Sequence, residues 1–180
     1  TLAFSTIANN DKVGVVFFSN KIEKYIPAQK GKTHVLHIIR ELLSFEPTSK
    51  GTDMAQALQY FANAQKRHCT AFLISDFIGT GAVDKPLLIA SNRHEVNAIQ
   101  IYDRREAELP NIGLVKFHDA ESNSNLWIDT SLATIRNNYA QAWKQNQDSL
   151  EQLFTRTGVK HVSVRTDEDY VKALMHLFRC

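Results

Sequence analysis

Gly51-Thr52-Asp53-Met54-Ala55-Gln56-Ala57-Leu58, followed by Thr70-Ala71-Phe72-Leu73-Ile74-Ser75-Asp76-Phe77, is the stretch that decides the fold of this chain. Its first half reads as a loop that delivers Thr52 and Asp53 to the start of an amphipathic helix. Met54, Ala57, Leu58 and Phe61 recur at helical spacing, and Asp53 with Gln56 has the form of a capping box. The second half reads as a buried strand whose end exposes one carboxylate, Asp76. A hydroxyl at a helix start and a carboxylate at a strand end are oxygen donors of the kind a hard cation such as Mg²⁺ takes. Each also has a simpler reading. Threonine before a helix is a common cap, and aspartate after a strand often caps the next turn.

Upstream, Lys12-Val13-Gly14-Val15-Val16-Phe17-Phe18-Ser19 is a nearly continuous apolar run, the pattern of a strand covered on both faces. Lys21 to Pro27 follows as a second strand after a Ser19-Asn20 turn. Thr33 is predicted to cap a helix striped by Val35, Ile38, Ile39, Leu42 and Leu43, which stops before Pro47. Residues 1–8 look like the end of a helix whose beginning lies outside the chain.

Downstream, the Gly79-Thr80-Gly81 loop leads to a helix around Val83 to Asn92 and then to a strand from Val96 to Tyr102. Strands alternating with helices imply a parallel sheet. Ile112–His118 and Leu126–Ile128 read as two strands joined through Asp119-Ala120-Glu121-Ser122-Asn123-Ser124-Asn125. A long helix carries Ile135, Tyr139, Trp143, Leu150 and Phe154 and ends at Gly158. Val159–Val164 is the last strand, and Thr166 is predicted to cap a closing helix. Trp127, Trp143 and Tyr139 fall at apolar positions and read as core.

The 180 residues are 43% hydrophobic and 22% charged with a net charge of +2, and the basic residues are scattered. That balance gives no footprint for nucleic acid or for an anionic membrane surface. No apolar run is long enough to cross a bilayer, so no membrane insertion is expected of this chain. The two cysteines, Cys69 and Cys180, read as free thiols in a reducing compartment, and the cytoplasm is the expected location. His34 and His37 share a helix face without a third ligand at metal spacing. The Gly79-Thr80-Gly81 loop lacks the phosphate-binding patterns, and the G-x-S-x-G elbow of hydrolases is absent.

Taken in order, Asp11-Lys12-Val13-Gly14-Val15, Gly51-Thr52-Asp53-Met54 to Leu58 and Ile74-Ser75-Asp76-Phe77 resemble a von Willebrand factor A-type (vWA) domain. Tyr102-Asp103-Arg104-Arg105-Glu106 with Leu109-Pro110, Trp127-Ile128-Asp129 and Thr166-Asp167-Glu168-Asp169-Tyr170 are similar to the C-terminal half of its bacterial DUF58 branch. The resemblance covers essentially the whole chain. It implies a single α/β domain over residues 1–180, three-layer, with a doubly wound, mostly parallel sheet of vWA or Rossmann-like type. The family's first, central strand is missing, so the chain reads as a fragment of a longer protein. The strands at 13–18 and 71–75 would then flank a gap, which is expected to be closed in some way or used for association.

The resemblance also implies a metal-ion-dependent adhesion site (MIDAS). Thr52 stands where the family has its threonine, and Asp76 where it has the aspartate after the fourth strand. The D-x-S-x-S motif that completes such a site is absent; Asp119-Ala120-Glu121-Ser122-Asn123-Ser124 is the nearest imitation, with one residue too many. The expected ion is Mg²⁺, or Mn²⁺ or Ca²⁺, in the complete protein, with weak binding or none by this chain. The function so implied is a non-enzymatic protein-interaction module, bacterial, that engages an acidic side chain of a partner. The partner class is the MoxR-type AAA+ ATPases. Asp103 and Arg104 belong to a charge run that reads first as solvated ion pairs and second as a partner contact. The alternatives are a Mg²⁺-dependent phosphoryl-transfer enzyme using Asp76, and a scaffold whose metal site has lapsed.

Overall fold

The computed structural model describes residues 1–49, 51–79, 81–118 and 125–179. Lys50, Thr80, segment 119–124 and Cys180 lie outside the described residues. With them go the acidic hairpin loop, the middle of the Gly79–Gly81 loop and the terminal thiol. In chain order the elements are α1 Leu2–Ala8, β1 Val13–Phe18, β2 Ile22–Gln29, α2 Lys32–Ser44, α3 Met54–Ala64, β3 Thr70–Ser75 and α4 Asp84–Arg93. They continue with β4 Glu95–Tyr102, α5 Arg104–Ala107, β5 Leu114–His118, β6 Asn125–Asp129, α6 Ala133–Thr157, β7 Lys160–Arg165 and α7 Tyr170–Arg179.

The strands form three separate sheets: an antiparallel pair β1–β2, a parallel sheet in the order β3–β4–β7, and an antiparallel pair β5–β6. The architecture is α/β. Because side chains alternate along a strand, the parallel sheet carries one core on each face. Ala71, Leu73, Val96 and Ala98 face a cluster completed by α3, α4 and α6 through Met54, Leu87 and Phe154. Phe72, Ile99, Val162 and Val164 face Leu177 of α7 and Leu2 of α1.

Several boundaries follow from local chemistry. Asp53 Oδ1 accepts from Gln56 N at 2.8 Å and starts α3, as the capping spacing predicts. Gly158, at φ 66°, ends α6 in the left-handed region. Thr33 does not cap α2, which begins one residue earlier behind Gly31 with no side-chain cap bond. Thr166 does not cap α7 either. Asp169 Oδ1 takes that place, accepting from Val171 N at 2.9 Å, while Thr166 is held elsewhere.

Two core assignments need correction. Val35 and Ile38 of α2 are buried, but Leu43 is 82% exposed, since the two-stranded pair beneath the helix is too narrow to cover the whole stripe. Trp127 is 61% exposed because β6 belongs to the separate β5–β6 pair and not to the parallel sheet.

The expected closure of the sheet between β1 and β3 is not found either. Residues 2–8 form α1, and among the described residues β1 pairs with β2 alone and β3 with β4 alone. The anticipated cost of two buried open edges does not arise, because these strands are mostly half-exposed and Ile74 is exposed outright.

Candidate functional site

In a parallel sheet all carboxyl ends share one rim, the usual place for function in such folds. Here that rim carries Asp76 after β3, Asp103 after β4 and Thr166 after β7. The loop bearing Thr52 is tied to the carboxyl end of β1, because Asp53 N donates to Ser19 O at 2.8 Å. Ser19 is buried, and its hydroxyl donates to Glu23 Oε1 at 2.7 Å. The same Glu23 carboxylate receives Thr48 N at 3.1 Å and Thr48 Oγ1 at 2.7 Å. The Thr48 hydroxyl first, and the Ser19 hydroxyl next, hold the Glu23 carboxyl below its usual range. These bonds staple the Thr52 loop back onto the β1–β2 turn. Met54, which follows Asp53, and Phe77, which follows Asp76, are both buried in one cluster, so the start of α3 and the end of β3 meet over a common core.

Asp76 is exposed and forms a turn of its own. Its Oδ1 accepts from Ile78 N at 3.0 Å, and Ser75 Oγ accepts from Phe77 N at 3.1 Å. Phe77 adopts φ 57°, a left-handed conformation that a bulky side chain rarely takes. Beneath the turn, Gln100 is 3% exposed. It donates from Nε2 to Asp76 O at 3.3 Å and accepts from Ser163 Oγ at 2.8 Å. This buried relay ties together the ends of all three parallel strands. Sequence reasoning missed it, although a glutamine inside the apolar run Val96–Tyr102 was the available signal.

Thr52 is exposed as well, and among the described residues no hydrogen bond joins it to Asp76. Among those residues, no group of three or more His, Cys, Asp or Glu side chains is placed to hold a metal ion. Mg²⁺ takes about six oxygens and Ca²⁺ about six to eight. One hydroxyl and one half-engaged carboxylate therefore do not fit a resident hard cation on their own.

Asp103 is engaged at both oxygens. Oδ1 accepts from Arg105 N at 2.8 Å and caps α5, and Oδ2 accepts from Thr166 Oγ1 at 3.1 Å. Thr166 N also donates to Tyr102 O at 3.0 Å, so Asp103 clamps the end of β4 to the end of β7. The Arg105 amide first, then the Thr166 hydroxyl, keep the Asp103 carboxyl below its usual range. Arg104 forms an exposed i,i+4 pair with Glu108 at 3.7 Å, the kind of pair that contributes little. At the opposite rim, Cys69 Sγ lies 3.7 Å from His94 Nδ1. Burial pushes the thiol pKa up and the imidazole pKa down, which favours a neutral pair.

With this geometry in place, comparison with known proteins adds a family. The family described as "Protein of unknown function DUF58" matches residues 1–149. An uncharacterized protein of Mycobacterium tuberculosis strain H37Rv is 28% identical over 174 residues, which is 94% of this chain and 54% of that protein. An uncharacterized protein of Mycobacterium avium is 28% identical over 158 residues, covering 86% of this chain and 92% of that protein. The chain thus spans about half the length of the M. tuberculosis relative. Among solved structures, the conserved hypothetical protein BatB from Bacteroides thetaiotaomicron aligns with a TM-score of 0.57 at 14% identity, over 99% of this chain and 86% of that one. An aerotolerance-related membrane protein from Bacteroides fragilis aligns with a TM-score of 0.58 at 14% identity over the same shares. These two likenesses show a shared fold.

Proposed function

The chain belongs to the DUF58 family, and from that premise we propose that it is a non-enzymatic protein-interaction module. Its binding face is the rim that carries Thr52, Asp76, Asp103 and Arg104. The finer architecture we propose is a vWA-like, doubly wound sheet. In support, β3–β4–β7 runs parallel with helices packed on both faces. One observation carries the functional reading. Thr52, in the loop that enters α3, and Asp76, in the loop that leaves β3, are both exposed, and each loop is anchored by a buried residue, Met54 or Phe77, of one cluster. A rigid base under exposed polar loops is how recognition surfaces are built.

The partner class we propose, from the resemblance alone, is a MoxR-type AAA+ ATPase, whose acidic side chain would be engaged through a divalent cation when the protein is complete. The compartment is the cytoplasm, in keeping with Cys69 as a free thiol. The described residues offer a cation too few oxygens, so in this chain recognition rests on the side chains of the rim itself.

The test has two parts. Calorimetric titration of the chain with MgCl₂ and MnCl₂ is expected to give no saturable binding tighter than about 1 mM. A tight, stoichiometric ion would show that the ligand set has been misplaced. Binding of a purified MoxR-type ATPase is then measured by biolayer interferometry. The Thr52→Ala, Asp76→Ala double variant should bind at least about tenfold more weakly, with a cooperative melting curve shifted by no more than the lost Asp76–Ile78 turn bond accounts for. Undiminished binding would remove this rim as the face, and turnover of p-nitrophenyl phosphate abolished by Asp76→Ala would replace the module with an enzyme.

A further inference from the structure

Beside the rim just described, Ile78, Glu106, Tyr139, Ala142, Trp143 and Asn146 line an open groove of about 190 Å³. Tyr139, Ala142, Trp143 and Asn146 recur at helical spacing on one face of α6, so a single helix supplies most of the wall. The Trp143 ring lies against Tyr102 with centroids 5.3 Å apart, which fixes that wall in place. Among the described residues of the lining, Glu106, from α5, is the one that carries a charge. Its Oε2 is shielded from solvent, and among the described residues no hydrogen-bond donor reaches it. The nearby phenol is otherwise employed, since Tyr139 Oη donates to Arg105 O at 3.2 Å. Burial first, and the negative charge of Glu106 second, push the Tyr139 phenol pKa up, which agrees with the carboxylate facing this wall.

A shielded carboxylate oxygen without a donor is costly, and a cationic donor entering the groove recovers that cost. Aromatic walls favour a planar, weakly hydrated guanidinium over a compact ammonium. The space is smaller than the roughly 300–1,000 Å³ of a small-molecule site, and it suits one long side chain. We propose that this groove receives an arginine side chain of a protein partner, its guanidinium on Glu106 and its stem along Tyr139 and Trp143. The site needs no cation at Asp76, and it stands whether or not the Thr52 loop takes part in recognition.

The experiment titrates the ¹⁵N-labelled full chain with the peptide acetyl-Ala-Arg-Ala-amide, following the Trp143 indole and the Ile78 amide by NMR. The control is the same peptide with citrulline, which keeps the shape and removes the charge. Saturable shifts confined to the groove are expected with the arginine peptide. Affinity should drop at least about tenfold with citrulline and in the isosteric variant Glu106→Gln. No saturable shift with the arginine peptide, equal affinity for citrulline, or undiminished binding by Glu106→Gln each overturns the proposal. The citrulline arm uses the unaltered protein, so the result stands even if the variant folds poorly.

Discussion

Replacing Phe77 with alanine, and separately with glycine, divides the packing of the turn after β3 from its backbone strain. The ring is 1% exposed, edge-on to Phe154 with centroids 5.3 Å apart, and part of the largest buried cluster. Removing such a ring costs about 3–5 kcal/mol in lost burial and residual cavity, of which the edge-on pair supplies about 0.5–1.5 kcal/mol. Alanine pays this in full and keeps a Cβ at φ 57°. Glycine loses the same ring but releases about 1–2 kcal/mol of left-handed strain. Its freer unfolded chain takes back about 0.4–1 kcal/mol. Phe77→Gly should therefore be up to about 1.6 kcal/mol more stable than Phe77→Ala, with the middle of the range at about 0.8 kcal/mol. At a strand or helix interior the order is the reverse, with glycine worse by about 0.5–1 kcal/mol. Urea unfolding followed by circular dichroism compares the midpoints directly. An alanine variant at least as stable as the glycine one refutes the left-handed turn, and a loss below about 1 kcal/mol in both refutes the burial.

Two further expectations concern pH. His94 is buried with Nε2 unpartnered among the described residues, and burial first, then His68 and Arg93, lower its pKa. The unfolded chain then takes up the proton at higher pH than the folded one, so stability is complete above the ordinary histidine pKa of about 6.5 and falls with acid. Between about pH 7.5 and 5.5 the melting temperature should drop less in His94→Leu than in the unaltered chain; equal slopes would contradict this. Asp103 is depressed in the folded state, so its contribution is present above the unfolded aspartate pKa and is lost as pH falls through the folded value. Asp103→Asn should lower the urea midpoint at neutral pH, and the gap to the unaltered chain should close as pH falls through the lowered folded value; a gap that persists in acid would mean the clamp does not depend on charge.

The sequence was most legible where local chemistry dominates. The Asp53 cap, the Gly158 stop and the apolar stretches at 71–75 and 96–102 are short-range signals, and the elements formed where they point. Thr166 misled because a threonine before an acidic run looks like a cap. Its hydroxyl instead meets Asp103, 63 positions away in sequence, and no local pattern records that pairing. The Glu23–Thr48 staple and the Gln100–Ser163 relay escaped notice for the same reason, as bonds between distant segments whose residue types are common anywhere. Trp127 shows the limit of apolar patterning, which marks a strand's faces without saying whether anything packs on them.

The division of labour along the rim bears on what it can recognise. The residues that stand out by type are largely engaged with their own neighbours. Asp76 Oδ1 closes a turn, Asp103 spends both oxygens on Arg105 and Thr166, and Arg104 pairs with Glu108. What remains uncommitted is of another kind: the exposed Thr52 and, past the Asp76 turn, the shielded Glu106 oxygen beside Tyr139 and Trp143. A charged, aromatic-walled groove is the composition of a contact surface, where aromatic anchors and one desolvated charge carry most of the affinity. Strands clamped tightly at their ends are what such a surface requires beneath it, because a partner gains only what is left after the loops have been ordered.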